Sequence, residues 1–341
     1  ALPHGHTPKD IPRNTRMNDS FHPLLYGLQR YEYGWLLPFM GRLPYHWARA
    51  LSDLRGAWNA RQSRDWTELA VGFRYLANRA HKGYQEILDD CTPTQVSALV
   101  RQRYQMIARE EYEGQLAING SLLHKLQLDI EPLRGLLAKR RPGKGLVVVM
   151  PHLDNLFVGL VGLAQCGVPV NLMTSDVVQD SRVHESLRAF FALKYKSYES
   201  LMSGGRFMPV SAAGRQYFHT ALGRSEIVAV MSDAPASSEG PGTWVQWFGK
   251  ERKMTNGALR MALATGSELV AVACWQTQPG RMAWIYSDIE DPNLDRPPNG
   301  EVGSRVYGRL FAFIEGAIRQ APGHWWAAHL LQDFEVRHDK N

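Results

Sequence analysis

The chain has 341 residues, 44% of them hydrophobic and 21% charged, with a formal net charge of +6. That length supports a sizeable buried core in one large or two ordinary domains, and the composition argues against global disorder. Three widely spaced cysteines, Cys91, Cys166 and Cys274, argue against a disulfide framework and fit a reducing compartment, while the positive charge fits an anionic partner.

Residues 1–22 read as a flexible tail: "ALPHGHTPKDIPRNTR" has no apolar stretch that would make a signal peptide, and His4 and His6 read as tail residues rather than metal ligands. Residues 23–140 read as helical. No run of 18 apolar residues exists, so no transmembrane helix is expected. "HPLLYGLQRYEYGWLLPFMGRLPYHWARAL" interleaves Tyr, Trp, Leu and Phe with Arg. This mixture suits a segment lying in a bilayer interface and equally suits a helical hairpin packed on a core. "DWTELAVGFRYLANRAHKGYQEIL" and "TPTQVSALVRQRYQMIAREEYEGQLAI" carry apolar residues at three- and four-residue spacing, the second with Thr94 as the expected N-cap.

"KRRPGKG" ends that texture, and residues 141–335 read as an α/β unit. The runs "LVVVM", "VPVNLM", "RFMPV", "EIVAVM", "ELVAVAC" and "MAWIYS" alternate with helical patterns at 155–166, 182–195, 212–223, 255–265 and 302–320. Continuous Val-rich runs alternating with helices predict a mostly parallel central sheet flanked by helices. In such sheets functional groups collect at the carboxyl ends of the strands.

His152 stands there, in "MPHLDNLF". A neutral imidazole at a strand end can take a proton from an attacking hydroxyl or amine when its other nitrogen is held by a carboxylate. Asp154 lies two residues on, in the expected first turn of the next helix. The plainer alternative is that Asp154 or Asn155 caps that helix and His152 is a core histidine. No GxSxG, GxxxxGK[ST], HExxH or strand–GxGxxG–helix pattern occurs. A second strand ends on Ser232-Asp233, before a Gly/Pro/Ser loop, "TWVQWFGKE" and the helix opened by Thr255-Asn256-Gly257.

Strand–His–apolar helix, strand–Asp–Gly-rich loop, "FG", "TNG" and a terminal "APGHWWAAH", in this order, resemble the bacterial lipid A late acyltransferase family. That family lies within the glycerophospholipid and lysophospholipid acyltransferase fold, and the likeness spans about residues 23–335. The resemblance implies acyl transfer from acyl carrier protein, or from acyl-CoA, to a hydroxyl or amine of a lipid or small-molecule acceptor. His152 is the implied general base. The family's motif places an acid five residues after the histidine, where this chain has Phe157. Asp154 is the favoured replacement and Asp233 the second candidate.

Asn155, Asp233, Thr255 and Asn256 are expected near substrate, although Thr255 and Asn256 most simply cap a helix. Trp244, Trp247 and Phe248 suit either an acyl tunnel or the core, and Gly159 and Gly162 suit close helix–sheet packing. No cofactor and no metal is expected, His324 and His329 being poorly spaced for one, and nucleic-acid binding has no supporting motif. The expected location is cytoplasmic, peripheral on the inner face of the inner membrane, with Lys139 and Arg140 offered to an acidic carrier. The alternative from another class is a non-catalytic relative that binds acylated carrier protein or lipid.

Overall fold

The computed structural model describes residues 23–88, 90–174, 177–236, 240–294 and 302–337. The tail 1–22, with His4 and His6, lies outside the described residues. Helix α1 (Pro23–Tyr31) continues through a π-helical turn, Glu32–Leu36, into Leu37–Met40. There follow α2 (Tyr45–Gln62), α3 (Trp66–Val71), α4 (Leu76–Ile87) and the long α5 (Pro93–Ile118).

The cap of α5 is Thr92, not Thr94. Pro93, with fixed φ and no N–H to satisfy, suits the first helical position, so the residue before it caps. Thr92 Oγ1 accepts from Gln95 N, and Gln95 Oε1 accepts from Thr92 N at 2.8 Å, a reciprocal box. No helix among the described residues is long and apolar enough to cross a membrane.

After a single helical turn, Leu122–Lys125, come β1 (Gln127–Leu128), α6 (Glu131–Lys139), β2 (Leu146–Met150), α7 (Leu156–Ala164), β3 (Val170–Thr174) and α8 (Glu185–Glu199). Then come β4 (Phe207–Pro209), α9 (Ala212–Gly223), β5 (Ile227–Met231), β6 (Gly242–Trp247) and β7 (Lys250–Thr255). The chain closes with α10 (Gly257–Thr265), β8 (Glu268–Gln278), β9 (Arg281–Tyr286), α11 (Val302–Gln320) and two 3-10 segments, Pro322–His324 and Trp326–Asp333.

Seven strands form one sheet in the order β1-β9-β8-β2-β5-β3-β4, parallel throughout except for β8 against β9. The expected mostly parallel sheet flanked by helices is what the chain forms. β2 sits inside the sheet and all five of its side chains are buried. Val147 and Val149 join the core on one face, and Leu146, Val148 and Met150 join the core on the other. At about 1.5–3 kcal/mol for each buried aliphatic side chain, such a strand resists displacement. It is a rigid mount for whatever follows Met150.

Gly162 lets α7 lie on the sheet, since a Cβ there would come within 2.4 Å of the Trp284 ring, and the Trp284 indole donates to Gly159 O at 3.1 Å. "TWVQWFGKE" is a hairpin, β6–β7, turned at Phe248 (φ 48°) and Gly249 (φ 70°). Two consecutive left-handed residues make the turn whose twist matches paired strands. Trp247 and Phe248 are buried in the core beside Trp325, whereas Trp244 lies partly buried under the Arg337 guanidinium.

Candidate active site

β2 and β5 run side by side in parallel, with Met150 opposite Met231. Two residues beyond each stand His152 and Asp233, brought together by register alone. His152 Nδ1 lies 2.6 Å from Asp233 Oδ1, and His152 N donates to Oδ2 at 2.8 Å. The Trp325 indole N–H also donates to Oδ2, at 2.8 Å.

Asp233 is fully buried. Burial opposes its charge, yet the imidazole and the three N–H donors hold its carboxyl below the usual carboxylate range. An ionised carboxylate only accepts, so Nδ1 carries the proton and donates to Asp233, which leaves Nε2 as the basic nitrogen. The His152 side chain keeps 20% exposure, and the Trp326 ring packs against it at 5.1 Å. The geometry is that of a base oriented by an acid.

Asp154, the favoured partner for His152 on sequence grounds, is directed elsewhere. It is not in the first turn of α7, because Asn155 is the N-cap and Leu156 the first helical residue. Its backbone is left-handed (φ 53°), a conformation an aspartate tolerates better than most side chains. Its oxygens accept from the Arg109 guanidinium, from Gln276 N at 2.9 Å and from Asn155 N at 2.8 Å, and His324 Nδ1 lies at 2.7 Å. Burial opposes the Asp154 charge, but Arg109 and His324 hold its carboxyl far below the usual range. The reason is plain charge matching: a buried guanidinium on α5 requires a counter-ion, and Asp154 supplies it together with Glu113 at 3.7 Å.

His152 faces a pocket of about 800 Å³, counting its open mouth, whose walls include Glu110, Phe157, Phe191, Lys194 and Trp326. Phe157 stacks on Tyr198 at 5.0 Å, with the Lys194 ammonium 4.5 Å from its ring. Lys194 is buried and pairs with Glu110 Oε1 at 2.5 Å. Position 157 thus carries an aromatic wall of the pocket.

Asn155 is fully buried; its Oδ1 accepts from Phe157 N and Val158 N, and its amide donates to Glu113 at 2.8 Å. It does not line the pocket. Neither do Thr255, the last residue of β7, or Asn256, which precedes α10 without a side-chain capping bond. His329 is buried next to Arg103; burial and that cation push its pKa well below the usual histidine value. Among the described residues no group of three His, Cys, Asp or Glu could hold a metal ion. Lys139 is exposed, its ammonium 5.2 Å from the Tyr286 ring.

Sequence reasoning missed Arg109, Glu113, Gln276 and the part taken by His324 and Trp325. A signal for the first two exists: Arg109 and Glu113, four residues apart, interrupt a helix whose Met106, Tyr112 and Leu116 are buried. Charges at such positions announce buried partners.

The sequence profile of the bacterial lipid A biosynthesis acyltransferases matches residues 36–332. A phosphatidylinositol mannoside acyltransferase of Mycolicibacterium smegmatis is 26% identical over 172 residues, which are 50% of this chain and 53% of that protein. The chain therefore aligns with about half the length of this curated relative.

Proposed function

We infer that this chain, which belongs to the bacterial lipid A biosynthesis acyltransferase family, transfers an acyl group from a thioester to a lipid acceptor with His152 as general base. The observation that carries this is the 2.6 Å contact between His152 Nδ1 and the buried Asp233, with His152 lining an open-mouthed pocket. In the step proposed, Nε2 takes the proton of the acceptor hydroxyl or amine as its oxygen or nitrogen attacks the thioester carbonyl. Collapse of the tetrahedral intermediate breaks the C–S bond, and the imidazolium returns the proton to the departing thiolate. An ester or amide and a free thiol result. The donor is acyl carrier protein or acyl-CoA; Lys139 and Arg140 offer positive charge to either.

The Asp233 pairing favours catalysis over a binding-only protein, for which Phe157 was the motive. Release of thiol from dodecanoyl-CoA, supplied with bacterial lipid extract, tests the assignment. His152→Ala is expected to lower that rate by about 10²–10⁴-fold, the usual range for positioned proton transfer. Full activity of His152→Ala would remove the general base.

Peripheral contact with the inner face of the inner membrane belongs to the same proposal. Leu24, Leu28, Tyr31, Trp35 and Phe39 are exposed at helical spacing, Trp35 by 74%. On α2, Trp47, Leu51, Leu54 and Trp58 are exposed at the same spacing, with Arg30, Arg42 and Arg61 also exposed in this region. Apolar stripes flanked by arginine suit an anionic bilayer surface. Co-sedimentation with phosphatidylglycerol vesicles is expected, weakened by Trp35→Glu and again by Trp47→Glu. No sedimentation at low salt would contradict it.

A further inference from the structure

Three consecutive residues where the two C-terminal 3-10 segments meet, His324, Trp325 and Trp326, fasten the loop that carries His152. His324 O accepts from Asp154 N at 2.8 Å. Leu153 and Trp325 form an isolated antiparallel bridge. Trp326 N donates to His152 O at 2.8 Å while its ring packs on the imidazole. Only Trp325 of the three reaches the acid of the pair with its side chain.

Each Asp233 oxygen has a distinct set of partners. Oδ2 accepts from two N–H groups, His152 N and the Trp325 indole, each at 2.8 Å; Oδ1 is left to His152 Nδ1. Trp325 is itself fully buried and fixed by Trp247 and Phe248, with ring centroids at 5.8 and 5.5 Å. Its N–H is thus held in place before substrate arrives, which is what orienting an acid requires. Among the described residues, the bonding partners of Asp233 are His152 and Trp325. The charged groups facing the pair are Glu110, Glu111, Lys194 and Asp154 on the pocket walls, with Arg109 and His324 bound to Asp154.

We propose that Trp325 is a positioning residue for acyl transfer: its indole N–H locks the Asp233 carboxylate so that one oxygen serves His152 alone. The proposal rests on His152 being the general base. Removing the N–H frees the carboxylate to turn and concentrates its charge on the imidazole. The protonated form of the pair is then favoured, and the acid limb of the kcat/KM profile moves to higher pH.

The test uses dodecanoyl-CoA thiol release over a range of pH. Trp325→Phe is compared with replacement of Trp325 by its benzothienyl analogue, which keeps both rings and lacks the N–H. Both are expected to lose about 10-fold in kcat/KM, the scale of a hydrogen bond to a charged group, with the acid limb displaced upward. In an Asp233→Asn background, neither change should cost more, because Trp325 acts through Asp233. If Trp325→Phe fails to fold, the analogue decides. An unshifted profile with the analogue, or losses that simply add to that of Asp233→Asn, would overturn the proposal. A fully active His152→Ala would instead overturn the general base on which it rests.

Discussion

Two histidine–aspartate pairs stand within a few residues of each other, joined through Nδ1 at nearly equal distances: His152–Asp233 at 2.6 Å and His324–Asp154 at 2.7 Å. Contact length does not tell them apart; the third partner does. Asp154 also binds the buried Arg109 guanidinium, so its charge is matched and it serves as a strut between α5, the His152 loop and β8. Among the described residues, Asp233 bonds only to N–H groups of His152 and Trp325. Its charge acts on the imidazole, and that imidazole faces the pocket. A carboxylate already neutralised by arginine stabilises structure, whereas one whose only cationic partner is a histidine stabilises imidazolium.

Breaking the strut should show as stability. Asp154→Ala leaves Arg109 with Glu113, 3.7 Å away, as its remaining carboxylate partner, a defect approaching the cost of about 3–5 kcal/mol for a buried pair that loses one member. Urea denaturation is expected to show that loss; a change below about 1 kcal/mol, the worth of an exposed pair, would mean that Arg109 finds another partner.

A smaller effect sharpens the same contrast through pH. Glu113, next to Arg109, is pushed by burial from its ordinary value of 4.5 up to about 7. A carboxyl raised on folding gives its full stabilisation below its unfolded value, and that contribution is lost as pH climbs through the folded one. Glu113→Gln removes the titration. The variant should therefore gain on the native chain between pH 5 and pH 8 by on the order of 1 kcal/mol. Parallel stability curves for the two proteins would contradict this.

Much of the fold was legible because it rests on periodicity. Leu146–Met150 and Ile227–Met231 are short apolar runs that only buried strands explain, and the helices at 212–223 and 302–320 coincide with apolar spacing. His152 was legible because it ends such a strand. Its partner was legible only as the second candidate, since proximity in sequence favoured Asp154 while strand order and register bring Asp233 to the imidazole; neither order nor register is written in local pattern. Trp325 was beyond reach for the same reason, its side chain meeting an acid 92 residues away. The left-handed backbone of Asp154 gave no advance sign, because a Leu-Asp-Asn triplet fits a helix start equally well.

The central claim is that Asp233, and not Asp154, is the acid behind His152. Thiol release from dodecanoyl-CoA by Asp233→Asn and Asp154→Asn, each with its melting temperature, tests it most directly. Asparagine keeps the size of the carboxylate but loses its charge, and an amide opposite Nδ1 favours the wrong tautomer. We expect Asp233→Asn to lose about 10²–10⁴-fold in turnover with little change in melting temperature. Asp154→Asn should melt lower while its folded fraction keeps most of its rate. A fully active Asp233→Asn beside a folded but inactive Asp154→Asn would contradict the account.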